Sequence, residues 1–201
     1  MKSKIEERYI KHNGDRVCQG DILRDFVYEV VFVSEGKAKA RDITYPYVVV
    51  LTQDCDLELD YNNRVKPKDN QDKYLHRILL CPAYLAESLK SGEHLTELGL
   101  VMQKIGRQKW GDVETNQNQR YHFLYSYREY QIPDLVIDFK HFFTVARDML
   151  YGQGGKLYIG SMNELFRESL SQRFAYYLSR IGLPELYEEN VEEEVIAALP
   201  E

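Results

Sequence analysis

The stretch Pro46-Tyr47-Val48-Val49-Val50-Leu51-Thr52, followed at once by Gln53-Asp54-Cys55-Asp56, decides the fold. Three consecutive valines between Tyr and Leu have no helical period and are β-branched, so they read as a strand buried on both faces or closing a small barrel. The polar residues after them leave the sheet together, and a thiol and two carboxylates emerge at a rim, where sites tend to be built. Upstream, Gly20-Asp21-Ile22-Leu23 opens a run rich in Val, Phe, Tyr and Ile that reaches Val33 and closes on the turn Ser34-Glu35-Gly36-Lys37. Downstream, Leu57 to Lys73 is too hydrophilic to bury and reads as a loop. Arg77 to Tyr84 is a further short apolar strand, and its Pro82 marks an end or an edge.

Leu85 to Ile105 has partly helical spacing broken by Gly92 and Gly99, which predicts one or two short helices in an insertion near 85–110. Gln119 to Tyr127 alternates as a strand does, with Tyr121, Phe123 and Tyr125 on one face and Arg120, His122 and Leu124 on the other. Leu135 to Phe139 and Phe142 to Val145 add two strands, and Gly152-Gln153-Gly154-Gly155-Lys156 reads as a hairpin turn before Leu157-Tyr158-Ile159. A capping box, Ser161-Met162-Asn163-Glu164, starts a helix that stops at Gly182, with Pro184 close behind. Its stripe of Leu165, Phe166, Leu170, Phe174, Tyr177, Leu178 and Ile181 is expected to pack on the sheet, and a last short helix runs through Val191, Val195, Ile196 and Leu199. The expected architecture is mainly β with added α. A barrel domain covers 1–160, and a C-terminal helical segment, 161–201, packs on it.

The chain has 201 residues, 44% of them hydrophobic and 29% charged, which matches an ordinary globular domain. Its longest stretch without formal charge, Ile43 to Gln53, is 11 residues, short of the roughly 20 that span a bilayer. The charged N-terminus lacks the apolar run of a secretory signal, so the expected location is cytoplasmic. Cys18, Cys55 and Cys81 are odd in number and widely spaced, which points to free thiols rather than a disulfide framework or a cysteine zinc site. The net charge of -6 is concentrated at one end: Glu185 to Glu201 carries seven acids and no Lys or Arg. Without it, 26 basic and 25 acidic groups leave +1, and the basic excess of a strong nucleic-acid binder is missing.

The order Gly20-Asp21-Ile22, Pro46-Tyr47-Val48-Val49-Val50-Leu51-Thr52 and Ile78-Leu79-Leu80-Cys81-Pro82 resembles the first half of MazF/PemK-like proteins, over about residues 20 to 84. That resemblance implies an SH3-like barrel. It implies an RNA-directed protein, either a ribonuclease toxin or a degenerate RNA-binding relative, in a bacterial toxin-antitoxin or anti-phage defence setting. If the chain is an enzyme, the resemblance implies a metal-independent endoribonuclease without cofactor. Tyr45 stands where cutting members place an Arg, the nearest upstream Arg is Arg41, and Thr52 falls where the family's second catalytic residue follows the strand.

Cleavage of RNA without metal needs a base for the 2'-hydroxyl and a cation for the developing charge, which Thr52, Arg120 and His122 can supply. Arg41, Tyr121 and Arg128 suit phosphate contact beside base stacking on single-stranded RNA. Cys55 would be a nucleophile if His122 reached it and a carboxylate such as Asp138 oriented the imidazole, with Asp56 beside the thiol. Flanking acids raise a thiol pKa, so the alternative is that Cys55 packs as a small apolar residue while Asp54 and Asp56 cap the turn. Zinc on Asp54, Cys55, Asp56 and His122 is chemically conceivable, but the spacing names no metal site. The second functional reading is a non-catalytic adaptor that docks a partner protein through its rim and acidic tail. A homodimer is compatible with either.

Overall fold

A computed structural model describes residues 7–66 and 69–180. Its eight strands form one antiparallel sheet, curled into a half-barrel, in the order β1-β8-β2-β3-β4-β6-β5, with β7 also pairing β4. β1 is Tyr9–Ile10, β2 Asp21–Ser34 and β3 Lys37–Val50; β4 is Arg77–Leu85 and β5 Tyr121–Leu124. β6 is Leu135–Asp138, β7 Phe143–Ala146 and β8 Tyr158–Met162. Five α-helices decorate it: α1 Asp54–Val65, α2 Ala86–Ser91, α3 Arg107–Glu114, α4 Arg147–Leu157 and α5 Glu164–Leu178. No helix among the described residues is long and apolar enough to cross a membrane.

The valine run is buried on both faces. Val49 joins Ile22, Cys81, Ala83 and Phe139 in one core, while Val48 and Val50 join Leu23, Phe26, Leu80 and Leu150 in a second. Each valine is fully buried, a contribution of about 1.5–3 kcal/mol apiece. α5 closes the first core with Leu170 and Phe174, α4 the second with Leu150, and a third small core gathers Leu89, Trp110 and Phe123 under α2 and α3. Pro82 sits inside β4, opposite Val48. On its other side β4 pairs with β7 only through Leu80 and with β6 only from Ala83, so the missing N–H falls where the partner changes.

The polar stretch expected to be a loop begins as helix α1, because its buried face is held by ions rather than by an apolar stripe. Leu57 is its one fully buried apolar residue; Asp60, buried beside it, accepts from Arg64 Nε at 2.7 Å, Arg147 Nε at 2.9 Å and the Leu75 amide at 2.8 Å. The glycine-rich hairpin turn is also corrected: residues 152–156 lie within α4, which Leu150 and Arg147 anchor despite glycine's poor helix propensity. α5 starts later than expected. Asn163, not Ser161, is its cap and accepts the Glu164 amide at 2.7 Å, whereas Ser161 is buried in β8. Leu165 and Leu178 are exposed, so the packed stripe is narrower than the sequence suggests. The helix stop at Gly182, the helix through Val191 and the acidic tail lie outside the described residues.

Candidate functional site

At the end of β3 the chain turns on Thr52, whose Oγ1 accepts the Leu79 amide at 2.7 Å. α1 then begins, and Asp54 faces inward: its carboxylate takes both Arg16 terminal nitrogens at 3.0 Å and the Gln19 amide at 3.1 Å, with Arg167 at 3.5 Å. Burial pushes Asp54 up, but Arg16 and the Gln19 amide outweigh it and hold the carboxyl below its ordinary range. Cys55 and Asp56 face solvent in the first turn. The Cys55 Sγ lies 3.7 Å from Gln53 Oε1 and 3.9 Å from Asp56 Oδ1, and no hydrogen bond links it to an imidazole among the described residues.

His122 is elsewhere. It is buried in β5, and its Nδ1 accepts from Arg173 Nε of α5 at 3.1 Å. Burial, then the Arg173 charge, lowers its pKa to about 3, so it stays neutral near pH 7 and is not matched to general-base work there. Asp138, fully buried, grips Arg120 through both oxygens, at 2.8 and 2.5 Å, and does not orient His122. Tyr121 is buried with the Arg120 guanidinium 4.9 Å from its ring centre. Arg41 is exposed far out on the β2–β3 hairpin, over Phe32, and Arg128 is exposed in a short 3-10 turn. The structure therefore unites Arg120, Tyr121 and Asp138. It joins none of Thr52, Cys55 and Asp56 to His122 by a hydrogen bond, and the Cys55–His122–Asp138 relay is corrected on that geometry.

An imidazole, a thiol and a carboxylate do converge nearby, but they are His12, Cys18 and Asp21. One donor atom from each lies within 4.8 Å of the others. Asp21, buried at the start of β2, accepts from His12 Nε2 at 2.9 Å, the Ser161 hydroxyl at 2.5 Å and the Cys18 amide at 2.8 Å. The Gly14 amide donates to His12 Nδ1 at 3.0 Å, which leaves the ring proton on Nε2, facing Asp21. The Asp21 bond raises the His12 pKa. Burial, then the Asp21 charge, pushes the Cys18 thiol up to about 11, which keeps it protonated near pH 7 and opposes nucleophilic attack. Arg16 and Gln19 tie this loop to the Asp54 corner, and cavities of about 390 and 180 Å³ flank it. The sequence signal was the spacing His12, Cys18, Asp21, in which Asp21 read only as a strand start.

A larger cleft, of about 490 Å³, opens on the other side of β3, between residues 43–46 and the 85–98 insertion. Tyr45, Tyr84, Leu95 and Leu98 give it aromatic and aliphatic walls, and Asp25, Glu93 and Glu97 give it charge; no Lys or Arg among the described residues lines it. His94 stacks edge-on against Tyr84, 4.8 Å between centres, and its ring nitrogens are buried beside the Ser88 backbone. Burial lowers the His94 pKa. The Tyr84 hydroxyl meets His141 Nδ1 at 3.1 Å, and burial pushes that phenol far up. Along this cleft β3 pairs only with β2, because its pairing with β4 begins at Tyr47. Comparison with protein-family models, curated proteins and solved structures returns no match. Two sites stand out by geometry: a donor set at His12, and an acid-lined groove beside an open strand edge.

Proposed function

We propose that the chain is a non-catalytic adaptor that receives an extended, Lys- or Arg-bearing segment of a partner protein in the 490 Å³ cleft. The observation that carries this is three carboxylates beside an unpaired strand edge, with no cation in the lining among the described residues. An added strand would pair with the outward backbone groups of residues 43–45, Pro46 having no N–H to offer, and bring a basic side chain between Glu93 and Glu97. Fluorescence anisotropy with a labelled Lys-rich decapeptide tests it. Glu93→Gln with Glu97→Gln should weaken binding about tenfold, since two rim pairs contribute about 0.7 kcal/mol each. Equal binding by the double variant, or equal binding of a Glu-rich peptide, overturns the reading.

A second reading keeps the chain RNA-directed, in the setting that the MazF/PemK resemblance implies. It is favoured by one face of the β2–β3 ribbon, where register places Lys37, Lys39 and Arg41 with Phe32, while Glu29 and Asp42 share the opposite face. The structural engagement of Thr52, Arg120 and His122 supports binding there over cutting. Lys39→Ala with Arg41→Ala should lower the salt slope of single-stranded RNA binding by about 1.4. An absence of RNA binding at low salt removes this reading.

A further inference from the structure

We infer that His12, Cys18 and Asp21 form a binding site for a divalent transition-metal ion of the zinc class. Three different donors converge from one loop and one strand start, within 4.8 Å of each other. Around a tetrahedral ion with bonds of about 2.0–2.3 Å the same donors would stand roughly 3.5 Å apart, so the site has about 1 Å to close. His12 Nε2 and Asp21 Oδ1 already stand 2.9 Å apart, so the closing falls on the Cys18 thiol while that pair opens slightly. Asp21 is already fixed, by the Ser161 hydroxyl and the Cys18 amide, and Ser161 in turn meets the Tyr158 hydroxyl at 2.9 Å. Such outer hydrogen bonds are what orient a ligating carboxylate.

A hydrogen-bonded hub would account for His12 and Asp21 without a metal. It does not account for the thiol, which makes no hydrogen bond among the described residues while its own amide holds Asp21. Thiolate and imidazole together select zinc-like ions over magnesium or calcium. On binding, the Cys18 proton leaves to solvent and the His12 ring proton moves from Nε2 to Nδ1. The Gly14 amide must then turn away from Nδ1, at an exposed position where even a Cβ would meet nothing within 4 Å. His12 and Cys18 also line the 390 Å³ cavity, with Arg16, Glu58, Tyr61 and Asn62, which gives room beside the donors for water or a substrate group.

Cobalt(II) titration of the full chain reads the site directly. The expected result is one equivalent bound, with a near-ultraviolet thiolate charge-transfer band that zinc displaces, that is lost in Cys18→Ser and that persists in Cys55→Ser. His12→Gln should weaken cobalt binding at least tenfold. Iodoacetamide labelling of the wild-type chain at about pH 9, where the Cys18 thiol begins to ionise, keeps the test independent of variant folding: zinc should protect Cys18 and leave the exposed Cys55 reactive. No thiolate band, a band that survives Cys18→Ser, or equal labelling of Cys18 with and without zinc overturns the inference.

Discussion

Replacing Asp60 with Ala should cost about 3 kcal/mol of folding stability. The carboxylate is 1% exposed, and it joins α1 to α4 and to the segment before β4. Its partners are only partly buried, Arg64 at 28% and Arg147 at 14% side-chain exposure, so solvent screens what each loses. Roughly 1 kcal/mol for each guanidinium and about 1 kcal/mol for the orphaned Leu75 amide give that sum, below the 3–5 kcal/mol seen when fully buried pairs are broken. For a chain this size the melting temperature should fall by about 6–12 °C. Burial pushes Asp60 up, but Arg64, the Leu75 amide and Arg147 together hold it below its ordinary value. Its contribution is therefore present above about pH 4 and is lost as pH falls through the lower folded-state value. Urea unfolding of both proteins at pH 7 and pH 3 measures this. A difference under 1 kcal/mol at pH 7, or one that grows on acidification, refutes the reasoning.

His122 provides a second acid-sensitive element with the sign worked from its pKa near 3. Between the unfolded value of about 6.5 and that folded value, only the unfolded chain takes the proton, so stability should fall by about 1.4 kcal/mol per pH unit on acidification. His122→Gln should flatten that slope, and an unchanged pH profile of unfolding would count against a buried neutral imidazole. Gly92, at φ +85°, caps α2, and a Cβ there would stand 2.3 Å from the Met102 carbonyl oxygen. Gly92→Ala should therefore lose about 2–4 kcal/mol through strain and backbone displacement, and a melting temperature within 1 °C of wild type would show that the insertion yields freely.

The strands around Val48–Val50 were legible because apolar residues there are buried by kind, and the β2–β3 turn because Glu35 and Gly36 supply its positive φ. α1 and α4 were not. What buries Asp60 is Arg147, 87 residues away, and a periodicity count has no means of scoring a satisfied carboxylate as a core residue. The same holds for the site. The Gln53–Asp56 corner was readable as a rim, but its principal charge partner is Arg16, 38 residues earlier, and the imidazole beside it is His12 rather than His122. Local sequence identifies which chemistries are present; long-range pairing decides which copies of them meet.

Three identical side chains in a row leave an ambiguity in β3 that the rest of the sheet must resolve. Sliding the strand by one position would still deliver a valine to each core, so the valines themselves hardly distinguish correct from shifted pairing. Discrimination falls to the ends, where Thr52 locks onto Leu79, the Gly20 amide clasps the Val50 carbonyl at 2.9 Å, and Tyr47 faces the small Ala83. The rim residues thus act as end-stops for the barrel wall, and sequence change there carries a risk of misthreading that change within the valine run does not.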